Sequence, residues 1–214
     1  MMYITIDGPA GSGKSSVAQR LAKELGFEHL DTGALYRSAA LLWLRYGKDD
    51  FFNMLNNAKF ELVNGTLRMN GKALGDEIRT PEIGKVVSKV AEMPKVREII
   101  TQKTRELADE KNIVVEGRDI GTVVLPNACV KIFLVASVEE RAKRRYAQYQ
   151  LKGINIRFED VVKEIESRDR IDSSREVAPL KPAEDALMFN TDSLTLNEVV
   201  KKLKEIVLEK LKKC

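Results

Sequence analysis

Gly8-Pro9-Ala10-Gly11-Ser12-Gly13-Lys14-Ser15, followed by Ser16, carries the spacing Gly-x4-Gly-Lys-Ser. In that pattern backbone N–H groups ring a di- or triphosphate. The Lys14 ammonium meets the β/γ oxygens, and the Ser15 hydroxyl is placed for a magnesium ion. Two further segments carry polar groups suited to an anion. Asp31-Thr32-Gly33-Ala34-Leu35-Tyr36-Arg37 offers a hydroxyl, a helix N-terminus and a guanidinium, a set that suits a monophosphate. Glu116-Gly117-Arg118-Asp119-Ile120-Gly121 follows an apolar run, at the strand end where open α/β sheets bind ligands. A capped helix and a polar surface loop are the plain alternatives for these two. Arginine also crowds the region from Arg141 to Arg175, through Arg144, Arg145, Arg157, Arg168 and Arg170. Nucleic-acid binding is one reading of that crowding; beside a phosphate loop, gripping the phosphates of small nucleotides fits better.

These groups need a scaffold, and the apolar patterning supplies one. Tyr3-Ile4-Thr5-Ile6 reads as a buried strand entering the phosphate loop. The helix after it puts Val17, Ala18, Leu21, Ala22 and Leu25 on one face and stops at Gly26. Its N-terminus adds partial positive charge where phosphates would sit. Asn112–Gly117, Val130–Ala136 and Ala186–Asn190 repeat the strand signal. Short apolar strands separated by helical patterns point to a parallel sheet covered on both faces. Ser137-x-x-Glu140 and Thr195-x-x-Glu198 read as capping boxes opening two later helices. Phe60–Val63, Asn64-Gly65 and Thr66–Met69 break the alternation as an antiparallel hairpin. Residues 49–87 are therefore read as an insertion in a core made of 1–48 and 88–214.

The bulk numbers agree with one such domain. The chain has 214 residues, 43% of them hydrophobic, and a net charge of +4, too mild to suggest a nucleic-acid partner by itself. No run reaches membrane-spanning length and no leader is expected, which together suggest a cytoplasmic protein. Cys129 and Cys214 lack ligand spacing, and packing or chance accounts for them. His29, the single histidine, is read as structural.

A phosphate loop alone says only that a nucleoside triphosphate binds, since switches, motors and kinases share it. The small size favours a small-molecule kinase, because the chain must then also build an acceptor site. A nucleotide-dependent switch would lack acceptor-stimulated turnover. A nucleic-acid ATPase would use stacking aromatics, and Trp43 and Tyr46 look like packing instead.

Taken in order, five motifs resemble the bacterial cytidylate kinases, a family of P-loop nucleoside monophosphate kinases, over nearly the whole chain. They are Gly8–Ser16, Asp31–Arg37, Val90-Ala91-x-x-Pro94-x-Val96-Arg97, Glu116–Val124, and Arg168-Asp169-x-x-Asp172-x-x-Arg175; Val177-Ala178-Pro179-Leu180 matches as well. The resemblance implies a three-layer α/β P-loop fold with a five-stranded parallel sheet. It also implies an inserted monophosphate-binding subdomain and a short arginine-rich lid near 152–164. The implied activity is transfer of the γ-phosphoryl group of ATP to CMP or dCMP, with Mg2+ and in a monomer. Other acceptors (UMP, shikimate, dephospho-coenzyme A) are the nearest alternatives. By the same resemblance Ser88, Arg97 and Asp119 read cytosine. Thr32, Gly33, Tyr36, Arg37, Arg118, Arg168, Asp172 and Arg175 hold the rest of CMP. Lys14, Arg37, Arg118 and Arg168 act in catalysis. Thr32 stands where some relatives carry serine, and either supplies the hydroxyl.

Elementary chemistry agrees with that base assignment. A carboxylate at Asp119 accepts from the 4-amino group of cytosine, whereas the 4-oxygen of uracil would meet it acceptor to acceptor. Guanidinium donors from Arg97 suit the bare N3 and O2 of cytosine, and uracil has N3 protonated.

Overall fold

A strand at the centre of a parallel sheet is covered on both faces, and β1 (Tyr3–Asp7) is buried from Ile4 onward, with polar Thr5 and Asp7 buried beside apolar Ile4 and Ile6. The computed structural model, which describes residues 1–151 and 153–214, continues with α1 (Lys14–Leu25), β2 (Glu28–Asp31) and α2 (Thr32–Asn57). β3 (Phe60–Val63), β4 (Thr66–Met69) and β5 (Lys72–Ala73) form a small antiparallel sheet. The hairpin expected from Asn64-Gly65 thus gains a third strand. α3 (Pro81–Glu92) and α4 (Pro94–Ala108) lead back to β6 (Ile113–Gly117). β7 (Val130–Val135), α5 (Val138–Leu151), α6 (Phe158–Ser174), β8 (Leu187–Asn190) and α7 (Leu196–Leu211) complete the chain.

The five remaining strands form one parallel sheet in the order β2-β6-β1-β7-β8. Alternation along β6 divides the core. Ile113 and Val115 pack with Leu35, Ala39, Ile100 and Leu107 from α2 and α4. Val114 packs on the other face with Leu21 of α1 and Leu203 of α7. Each such fully buried aliphatic side chain contributes roughly 1.5–3 kcal/mol. Helix, sheet and helix are the three layers. A third cluster, Ala142, Val161 and Ile165, joins α5 to α6, with Tyr146 and Phe158 edge to face at 5.8 Å.

Local signals place the element ends. Gly26 caps α1 at φ 69°, left-handed as expected of a helix-stopping glycine. Gly47, at φ 64°, interrupts α2 beside the point where the insertion is expected to begin. The expected junction at 87/88 falls instead inside α3, because Thr80 caps that helix and Pro81 opens it. The Thr195 capping box is complete. At Ser137 only half of one forms: its hydroxyl accepts from Glu140 N at 3.2 Å, while its own N–H donates to the Asp192 carboxylate at 3.0 Å.

The cysteines depart from expectation. Cys129 and Cys214 are joined in a disulfide, with Cα atoms 6.0 Å apart and a sequence separation of 85. Cys129 enters β7, and α7 returns along the sheet to end beside it, an adjacency that spacing cannot reveal. The expected lid at 152–164 starts at Lys152, outside the described residues, and its second half, 158–164, is the beginning of α6, which packs against α5 as a helical hairpin.

Candidate active site

The phosphate loop takes its shape from glycines. Gly8 sits at φ 149°, and a Cβ there would lie 2.3 Å from the Leu134 carbonyl oxygen of the neighbouring strand. Only glycine fits. Gly13 is left-handed at the N-cap of α1 with no side-chain cap, so the first amides of that helix stay open to a ligand. Lys14 is buried and donates to the Pro9 carbonyl at 2.7 Å and the Ser12 hydroxyl at 3.4 Å. Burial pushes its ammonium well below the usual lysine range, and Arg118 adds to that while Glu116 opposes it. A cation held in this way gains most from an incoming phosphate.

Ser15 donates to Glu116 Oε2 at 2.8 Å, and the Nε2 of His29 lies 3.3 Å from Oε1 of the same carboxylate. Glu116 stands first in the segment running to Gly121, but the sequence pattern gave it no role of its own, although it lies near the end of an apolar strand beside the loop. His29 is not packing alone: it touches that carboxylate.

The loop opens onto a cavity of about 490 Å³, within the usual size of a small-molecule site. Of the residues expected to bind ligand, Ala10 to Ser16 line it, and so do Thr32, Gly33, Tyr36, Arg37, Ser88, Arg97, Arg118, Asp119, Arg168, Asp172 and Arg175. Gly8 and Pro9 do not; they shape the loop from behind.

Parallel strands bring the polar ends together. Asp7 of β1 is level with Gly117 of β6, and Asp31 of β2 with Glu116. Asp31 caps α2 by accepting from Ala34 N at 3.2 Å. Its other oxygen lies 3.6 Å from Arg37 and 3.4 Å from Arg79, a cavity-lining arginine of the insertion that no local pattern singled out. The Thr32 hydroxyl donates to the Glu116 carbonyl at 2.7 Å, leaving it an acceptor toward the cavity.

Asp172 organises the arginines. Arg118 Nε donates to its Oδ2 at 2.8 Å, and Arg175 pairs with its Oδ1. Burial alone would raise this carboxyl, but Arg118 and Arg175 hold it below the usual carboxylate range. Arg168 is pushed down to about 10 by burial and then by Arg118. Among the described residues, buried nitrogens of Arg37, Arg97, Arg168 and Arg175 have no hydrogen-bond partner. Unpaired buried donors cost free energy, and an arriving anion would relieve it.

Arg97 and Asp119 are both buried and pair at 2.6 Å, with the Arg97 guanidinium 5.6 Å from the Tyr36 ring centre. The other arginines divide by role. Arg144 and Arg145 line the cavity from α5, and Arg144 is anchored on Thr191 at 2.9 Å and 2.7 Å. Arg141, Arg157 and Arg170 do not line it. Arg141 braces the phosphate loop through the Ala10 carbonyl at 3.1 Å and pairs with Asp169, while Arg157 is exposed and pairs with Asp160. The crowding in sequence therefore overstated how many arginines could reach a phosphate.

Comparison with known proteins is consistent with this geometry. The family model described as cytidylate kinase matches residues 4–209. A cytidylate kinase of Thermosipho africanus is 50% identical, covering 98% of this chain and 96% of its own. One from Thermotoga neapolitana is 48% identical, with 98% of each chain covered. Among solved structures, a shikimate kinase from Bacteroides thetaiotaomicron shares the fold with a TM-score of 0.52 at 14% identity, covering 96% of this chain and 98% of its own. With the family model spanning nearly the whole sequence and half of all positions shared with a curated relative, the chain belongs to the cytidylate kinase family.

Proposed function

We propose that the cavity aligns ATP with CMP or dCMP and transfers the γ-phosphoryl group, releasing ADP and the cytidine diphosphate. The observation that carries this reading is the pairing of two anion sites across one cavity: the phosphate loop with Lys14 on one side, and the group around Asp172 with partnerless guanidinium nitrogens on the other.

The acceptor phosphate oxygen is already a nucleophile, so alignment and charge neutralisation make up most of the task. Lys14 and the loop amides hold the donor phosphates. Arg37, Arg118 and Arg168 hold the acceptor phosphate and offset repulsion as the two anions approach. Asp172 and Arg175 position these guanidinium groups and the sugar end of the acceptor. Arg97, Asp119 and Ser88 read the base. The expected lid follows α5 and runs into the start of α6, and its closure would exclude water as a competing acceptor.

Magnesium fits the residues present. Ser15 and Glu116 offer hard oxygens beside the loop, and Mg2+ typically takes one or two protein oxygens and fills the rest with water and phosphate. When bound, it neutralises donor phosphate charge. Among the described residues no helix is long and apolar enough to cross a membrane. Free nucleotides as substrates make the cytoplasm the place of action in this reading, and one chain supplies every group the site needs, in line with a monomer.

A coupled assay of ADP release across CMP, dCMP, UMP, AMP and GMP tests the proposal. CMP or dCMP is expected to give the highest kcat/KM. A preference for any other acceptor defeats the reading.

A further inference from the structure

The chain leaving β6 carries Arg118 and Asp119 and then makes a single π-helical turn, Ile120–Val124. Asp119 stands at the N-cap of that turn, the place where an aspartate ordinarily folds back to accept from the first free amides. Its side chain makes no such bond. Asp7 does so instead, from the end of the adjacent strand. Its Oδ1 accepts from Ile120 N at 2.9 Å and its Oδ2 from Gly121 N at 2.8 Å. The far end of the turn is held from α4, where Arg105 donates to the Val124 carbonyl at 2.8 Å and the Val123 carbonyl at 2.9 Å. Because the cap comes from another strand, the Asp119 carboxylate is free to meet Arg97 at 2.6 Å.

We infer that Asp7 is a positioning residue for base selection: by capping the 120–124 turn from β1 it frees Asp119 to face the nucleobase. Asp7 directly precedes Gly8 in sequence, so one strand end carries the phosphate loop in its main chain and sets the base reader through its side chain. Burial lifts the Asp7 carboxyl to about 6, opposed by the amides of Gly121 and Ile120, so it accepts from both amides when ionised at neutral pH. Removing that acceptor leaves two buried amides unmet, and Asp119, at the N-cap of the same turn, has a carboxylate that can turn back to them. Cytosine recognition is then lost while the phosphate loop keeps its glycine-determined shape.

The inference rests on the acceptor-site reading above, and the test separates the two. Asp7→Asn keeps the shape but turns an N–H group toward one of the amides. Purified wild-type and Asp7→Asn proteins are assayed with CMP and UMP, and ATP binding is titrated separately. The expected result is a fall of about 10–100-fold in kcat/KM for CMP, a CMP-to-UMP ratio reduced about 10-fold or more, and an ATP Kd within about 3-fold of wild type. An unchanged CMP-to-UMP ratio, or equal losses of ATP and CMP binding, overturns the role of Asp7. Should Asp7→Asn not fold, Gly121→Ala is read by the same criteria, since its Cβ would lie 2.9 Å from Thr5 Oγ1 and 3.4 Å from Asp7 Oδ2, wedging the turn off β1. Wild-type protein with no CMP turnover would instead defeat the functional reading, and this inference with it.

Discussion

Asp119→Asn separates base recognition from support of the fold. In the native protein the Asp119 carboxylate meets Arg97 at 2.6 Å with both residues buried. The amide keeps an acceptor for Arg97 but removes the negative charge. Breaking a buried pair outright costs 3–5 kcal/mol as a rule; with one hydrogen bond kept, about 2–3 kcal/mol is expected here. For a domain of this size that lowers Tm by about 4–12 °C. The effect on specificity is independent of this and larger. CMP loses a charge-assisted hydrogen bond to its 4-amino group, worth about 2 kcal/mol or roughly 30-fold in kcat/KM. UMP gains by a similar factor, because the amide can donate to the uracil 4-oxygen. The CMP-to-UMP ratio should therefore fall by about 10³. Steady-state ADP release with both acceptors, alongside calorimetric melting, measures the two effects. A lowered Tm with an unchanged ratio would refute the reasoning, leaving the pair as a structural ion pair only.

Other outcomes follow from the same geometry. Lys14→Ala should lower turnover by roughly 10²-fold or more while the fold is retained, as checked by single-turnover kinetics and circular dichroism. Phosphates should raise the depressed Lys14 value back toward that of an ordinary ammonium, so ATP binding takes up a proton, and ATP affinity falls as pH rises through the free-protein value. Calorimetry in buffers of different ionisation enthalpy, repeated at rising pH, measures this uptake, which Lys14→Ala should abolish. Cys214→Ser removes a tether closing a loop with a sequence separation of 85. Under non-reducing conditions it should destabilise the protein by about 2–4 kcal/mol, and a wild-type melt in reductant should match it. Identical melts of variant and oxidised wild type would show that the bridge contributes no stability.

The features legible in the amino-acid order are those whose information is local. The Gly8–Ser15 spacing, the capping of α1 by Gly26 and the continuous apolar strands each follow from backbone geometry or periodicity within a few residues. The five motifs in order carried the family. Tertiary structure decided what depends on neighbours far along the chain. It divided the arginines, placing Arg168 at the cavity and turning Arg141 to brace the loop, a distinction set by helix rotation and not by composition. It paired Cys129 with Cys214, and it brought Glu116 to Ser15 and His29 across three parallel strand ends. It also supplied a cap for the 120–124 turn from a strand more than a hundred residues earlier, which no local rule can anticipate because the donors and the acceptor share no helix. A parallel sheet produces such meetings: its strands end side by side, and the loops leaving them come from all parts of the chain.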